Sequence, residues 1–207
     1  MITLNIGNCR TDILPVVKGL VSEAGKVAAA YGGYEAYAVA LGIEDITVLS
    51  KRKEIEDEPE LGELDLVYSH RLSEFGEVQV PTPAFCELID LCAKDGTLVI
   101  PLDMNNDDFA TAYIQNVKTT EFVMEHRMAK KGMKKKFDMS SPEAFSTEWY
   151  GFINKAKGFS KLSRLREEHI AEQIVDISRY RGSLLAVVET EIINKVLEHI
   201  NSVQVAR

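Results

Sequence analysis

The sequence predicts an α/β protein, a mainly parallel sheet flanked by helices. Three observations carry that expectation. Short apolar runs at 2–6, 46–49, 64–68, 97–102 and 184–188 read as strands. Segments with helical patterning separate them, and strands alternating with helices favour a parallel sheet covered on both faces. With 207 residues, 45% hydrophobic and 27% charged, the chain can bury a core without disulfide or metal staples. The expected organisation is one α/β domain over 1–207, with a helical insertion or cap at about 109–163.

Taken in order, 2–6 alternates like a strand and ends in the turn pair Gly7-Asn8. Asp12 is placed to cap a helix over about 13–24, with Pro15 in its first turn. Residues 27–30 read as a strand, Gly32-Gly33 as a turn and 34–41 as a helix. β-branched content makes 46–49 a strand, and the charged run 51–63 (KRKEIEDEPELGE) an exposed loop. The strand at 64–68 leads into Ser69-His70-Arg71, and 76–83 is extended, closing on Pro81 and Pro83. A helix at 84–94, a strand at 97–102 and an acidic loop at 103–108 follow.

Beyond Asp108 the pattern turns helical. Residues 109–136 end in a basic run, Lys130 to Lys136, that should stay in water. Ser140 or Ser141 caps the next helix, with Pro142 in its first position and Glu143 after it. Leu162, Leu165, Ile170, Ile174 and Ile177 form one face of a helix at 162–177. An apolar strand at 184–188 and a helix at 191–200 close the chain. The aromatics Phe122, Phe137, Phe145, Trp149, Tyr150 and Phe152 exceed what a solvent-facing insert carries. This segment is therefore expected to cap the strand ends and to supply part of a homodimer contact.

A net charge of −8 argues against nucleic acid as a partner. The three cysteines, Cys9, Cys86 and Cys92, lack metal-ligand spacing and read as buried thiols of a reducing compartment. The N-terminus has no basic leader, and no apolar run approaches the ~18 residues that span a bilayer. A cytoplasmic protein is expected.

Ligands of α/β sheets bind beyond the carboxyl ends of strands. Three such ends carry polar groups: His70 with Arg71, Asp103 with Asp107 and Asp108, and Glu189 with Glu191. Carboxylates with a histidine could hold a divalent cation or share acid–base work. Helix first turns also favour acids, which accounts for Asp107, Asp108 and Glu191. Asp103 is the strongest candidate. The turn at Gly7-Asn8 lacks both the three-glycine spacing of a dinucleotide loop and the lysine of a phosphate loop. His126, His169 and His199 have no second ligand at i+4 and read as surface residues.

Three segments then carry a family resemblance. Leu102-Asp103-Met104-Asn105 stands where a strand ends in an Ile-Asp-Arg-Asp-type motif. Residues Leu165-Arg166-Glu167-Glu168-His169-Ile170-Ala171 loosely match Glu-Arg-Asp-x-x-Met-Ala, and Val187-Val188-Glu189-Thr190-Glu191-Ile192 occupies the place of Val-Val-Gly-x-Gly-His. In order and spacing over about 64–200, the chain resembles the TraB pheromone-shutdown family, which belongs with the ChaN and erythromycin-esterase-like proteins. The early Gly-Thr-x-His has no counterpart beyond Ile6-Gly7-Asn8-Cys9, the closing histidine is Ile192, and the second acid is Asn105. Asp103, Arg166 and Glu167 carry over, and the resemblance places Asp103 and Arg166 at one pocket.

The resemblance implies a degenerate family site that has lost most of any hydrolase-like or metal-dependent machinery. The expected role is binding a small ligand or a protein partner through Asp103, His70, Arg71, Arg166 and Glu189, without cofactor or metal. The competing expectation is a metal-assisted hydrolase of a small ester, peptide or phosphate compound.

Overall fold

Two alternating runs around Gly7-Asn8 make the first element pair, β1 (Ile2–Ile6) and β2 (Cys9–Val16). They form an antiparallel hairpin, Ile6 opposite Cys9, with Gly7 at φ +59° in the first turn position. A two-residue hairpin needs such a residue there, and glycine adopts it without a Cβ clash. This computed structural model describes residues 1–54 and 61–205, and the side chains of 122, 123, 204 and 205 lie outside that description.

The remaining strands are β3 (Ala36–Val39), β4 (Val99–Pro101) and β5 (Ser183–Glu189). The sheet order is β1-β2-β5-β3-β4, and every pairing except β1 with β2 is parallel. β5 lies at the centre, which explains an apolar run buried from Leu184 to Val188. Register sets the functional edge. Val16 lies opposite Glu189, and Val39 lies opposite both Val187 and Pro101. The ladder continues past β4, with the Leu102 amide donating to Val39 (2.9 Å) and the Asp103 amide to Leu41 (3.2 Å). Lys18, Leu41, Asp103 and Glu189 therefore reach the same end of the sheet.

Helices α1 (Glu23–Ala30), α2 (Ile43–Ser50), α3 (Glu63–Leu72) and α4 (Pro83–Lys94) precede β4. In α4, Ala84, Phe85, Leu88, Ile89 and Cys92 are buried at helical spacing against the sheet core. Helices α5 (Asn106–Asn116), α6 (Thr119–Lys134), α7 (Pro142–Ile153) and α8 (Lys157–Ser178) lead to β5, and α9 (Ile193–Val205) follows a 3-10 turn at Thr190–Ile192. Ser141 caps α7 by accepting the Ala144 amide, with Pro142 in the first turn.

A second apolar core forms among α3, α6 and α7. Phe145 is fully buried, stacked on Tyr68 at 5.4 Å and edge-on to Phe137 at 5.5 Å, with Trp149 and Phe152 around them. Phe137, Phe145, Trp149 and Phe152 are thus buried within the chain itself, while the Phe122 side chain lies outside the description. α7 packs on the turn after β5, so this helical layer stands beside the carboxyl edge of the sheet.

The α/β class and the mostly parallel sheet agree with expectation, while several elements differ. The expected helix at 13–24 is instead the end of β2, the turn after it and the first two residues of α1. Asp12, read as a cap, is a buried strand residue that accepts hydrogen bonds from Thr3 and Tyr34 and pairs with Arg10. Around Gly32-Gly33 the two elements are exchanged: alanine-rich 27–30 ends a helix, and the apolar run at 36–39 is a buried strand. The runs at 46–49 and 64–68 lie in α2 and α3. Leu64, Val67, Tyr68 and Leu72 follow helical spacing, and α2 begins with Glu44 and Asp45 where a helix dipole favours acids. Of the charged run 51–63, residues 52–54 form a 3-10 turn, residues 55–60 lie outside the description, and Glu63 opens α3.

Candidate functional site

The carboxyl edge of the sheet opens into two adjoining cavities of about 540 and 260 Å³. Lys18, Arg166 and Glu189 line both and stand at their junction. The larger lobe has an apolar wall including Val80, Phe85 and Phe109, and a polar floor of Asp45 and Asp103. The smaller is walled by Tyr68, Trp149 and Tyr150 and carries Asp65, Glu125 and Glu191.

Each polar group is held there by its element. Asp103 ends the β4 ladder, and one of its oxygens accepts the Met104 amide at 2.8 Å. Its other oxygen accepts Arg166 Nε at 2.7 Å and a second guanidinium nitrogen, from the middle of α8. The same guanidinium stands 3.7 Å from Glu189 Oε1. Burial alone would lower the Arg166 pKa, but Asp103 and Glu189 outweigh it and hold it above its ordinary value. Arg166 is thus already matched by carboxylates and offers little net positive charge to the cleft.

Glu189, the last residue of β5, is 8% exposed, and its Oε2 is buried with no hydrogen-bond partner among the described residues. Burial pushes its pKa up to about 7 against the pull of Arg166, with Glu191 and Asp103 pushing the same way. Glu191 is raised by burial too, although it accepts a 3.1 Å hydrogen bond from Ser146. Burial also raises Asp45 and Glu125, the latter with help from Asp65 and Glu63. A carboxyl that changes charge near neutrality beside a cavity can hold a proton, release one, or accept a donor from a ligand.

The candidate residues divide. Asp103, Arg166 and Glu189 meet in the cleft. His70 and Arg71 do not, because they lie near the end of helix α3 rather than beyond a strand. His70 is exposed, and Arg71 pairs with Glu74 at 3.0 Å; neither lines either lobe. Glu167 is buried and accepts the Tyr150 hydroxyl at 2.8 Å, touching the cleft only through that ring. Asp107 and Asp108 are first-turn acids of α5, whose cap Asn105 accepts the Asp108 amide. Sequence reasoning missed Lys18, Asp45, Tyr68 and Glu125: Lys18 and Tyr68 lie in elements assigned to the wrong type, Asp45 lies just before one, and Glu125 sits on a helix correctly expected but looks there like ordinary surface charge. Among the described residues, no three histidine, cysteine, aspartate or glutamate side chains group closely enough to hold a metal ion. No helix among them is long and apolar enough to cross a membrane. No protein-family model matches this chain, and neither does any curated protein or solved structure.

Proposed function

We propose that this chain is a TraB/ChaN-like protein with a degenerate family site, and that its two-lobed cleft binds a small molecule. The single observation that carries this reading is Glu189 Oε2, a buried acceptor without a partner among the described residues, at the junction of both lobes. An unsatisfied buried acceptor costs about 1–3 kcal/mol, which a donor on a ligand would offset. The pairing of Asp103 with Arg166 supports the family reading, since the resemblance assigns both to one pocket. The concave shape and apolar wall favour a small ligand over a protein partner. The buried, unbridged cysteines support a cytoplasmic setting. The metal-assisted hydrolase draws no support here, because His70 stands outside the cleft and the acids present do not form a donor set.

A thermal-shift screen of a charge-diverse fragment library tests the reading. Fragments that stabilise the protein should lose their effect in Glu189→Gln and in Phe85→Ala, which alter the junction and the apolar wall. Hits indifferent to both substitutions would place the binding elsewhere.

A further inference from the structure

We propose that the smaller lobe is a subsite for an organic cation, a protonated amine whose ammonium sits between Glu189 and Glu191 and whose apolar body extends into the larger lobe. The inference rests on the small-molecule reading above and names the ligand's chemistry.

Charge accounting in the cleft points to a cation. Arg166 is matched by Asp103, and Lys18 stands 3.5 Å from Asp65. The small cavity is lined by four carboxylates, Asp65, Glu125, Glu189 and Glu191, against two cations, Lys18 and Arg166, and Arg166 is shared between Asp103 and Glu189 (3.7 Å), so negative charge is in excess there. Glu125, Glu189 and Glu191 have raised proton affinity, caused first by burial. Such a cluster is costly when ionised and empty, and an ammonium brings both the charge and the donors it needs. Glu189 Oε2 supplies an acceptor without a hydrogen-bond partner among the described residues. The excess of carboxylates in the small lobe disfavours an anion there.

The walls fit the same ligand. Tyr68 and Trp149 give the small lobe aromatic surface, which cations favour over aliphatic surface. Across Glu189, Val80, Phe85 and Phe109 form an apolar wall suited to a hydrocarbon or aromatic body. The ligand is therefore an amphiphilic amine rather than a hydrated inorganic cation.

Protonation is coupled to such binding. Glu189 faces Arg166 on α8, Asp103 beyond β4, Lys18 beyond β2 and Glu191 on the turn after β5, with the hydroxyls of Tyr68 and Tyr150 on α3 and α7 nearby. The ammonium requires Glu189 ionised, so affinity should fall about tenfold from pH 8 to pH 6, while the amine itself stays charged.

A matched series isolates the head group: 4-phenylbutylamine, 4-phenylbutanol and 4-phenylbutyrate, titrated calorimetrically into the full chain. The amine should bind at least about tenfold tighter than the alcohol or the acid, the difference expected of one charge-assisted contact. Glu189→Gln and Glu191→Gln should each cost the amine about tenfold and the alcohol, which brings a donor but no charge, much less, and Glu189→Gln should flatten the pH dependence. Circular dichroism of both variants checks that they fold, and Glu125→Gln tests the same field from the rim if either fails.

Binding of the acid or the alcohol as tightly as the amine would overturn the cation subsite and leave the small-molecule reading standing. Amine binding that ignores both pH and Glu189→Gln would overturn it equally. If none of the series binds at millimolar concentration the cation subsite falls, and if the fragment library is silent as well the small-molecule reading falls with it.

Discussion

Replacing Asp103 by asparagine keeps the shape of the side chain and removes the charge that holds Arg166. Removing one partner of a buried pair costs about 3–5 kcal/mol, because the other charge is left stranded. Two features reduce that figure here. Arg166 is 26% exposed, so water can reach part of it. Glu189 Oε1 stands 3.7 Å away and can take over as partner. The expected loss is then about 2 kcal/mol, or roughly 4–8 °C in Tm for a chain of this size. Urea unfolding at pH 7.5, followed by far-ultraviolet circular dichroism, measures it with the m-value as a check on two-state behaviour. The substitution also removes a negative neighbour of Glu189, so its carboxyl should ionise more readily. Asp103→Asn combined with Glu189→Gln leaves Arg166 with neither partner, and the loss should exceed the sum of the singles by about 1–2 kcal/mol. A single-variant loss under about 0.5 kcal/mol, or strict additivity in the cycle, would show that Arg166 is solvated and that the pair contributes little.

Glu189 is raised to about 7 in the fold, so between its unfolded value near 4.5 and that level the native state binds the extra proton and stability falls as pH rises. Glu189→Gln should therefore gain on the parent protein as pH goes from about 5 to 8, and a stability difference that stays flat across that range would refute the buried carboxyl. Gly132 lies against Trp149, where an added Cβ would sit 2.9 Å from the ring, so Gly132→Ala should cost about 1–3 kcal/mol and alter the emission of the single tryptophan. Phe145→Ala should cost about 3–5 kcal/mol by chemical denaturation, and a loss below 1 kcal/mol would mean the second core is loosely packed. The homodimer contact expected of the helical segment predicts a concentration-dependent mass in light scattering, and a monomer throughout would remove it.

The elements legible in the sequence were those where pattern and propensity agree. The helix at 84–94, the strands at 2–6 and 184–188, and the Ser141-Pro142 start each combine periodicity with a boundary signal. Where composition and period disagree, composition misled. Ile46-Thr47-Val48-Leu49 is β-branched, yet only Ile46 is buried and Val48 is 54% exposed, as on one face of a surface helix. Leu64, Val67, Tyr68 and Leu72 carried the helical spacing that should have outweighed a short apolar run. The hairpin was also readable, since Gly7-Asn8 separates two alternating segments, but Asp12 and Pro15 together imitated a helix start. Pro15 is tolerated in β2 because β1 pairs only as far as Ile13 and leaves that side free beyond it.

Those element errors decided which site residues could be found. Asp103 lies just beyond β4 and Glu189 ends β5, both correctly placed as strands, and both lie in the cleft. His70 and Arg71 followed a strand that is a helix, and both lie elsewhere. Lys18 sits beyond a true strand that was read as helix interior, where a lysine looks like ordinary solvated charge. Trp149 was expected to pack and does, and Tyr68 packs beside it: both are buried in the second core and still present surface to the small lobe. No periodicity distinguishes a ring that only packs from one that packs and lines a cavity. That distinction arises when α7 and the turn after β5 come together, with Ser146 of the helix donating to Glu191 of the turn. The smaller lobe is therefore a property of the contact between the helical layer and the sheet, and a substitution that loosens this contact, such as Ser146→Ala, should weaken amine binding without touching either Glu189 or Arg166.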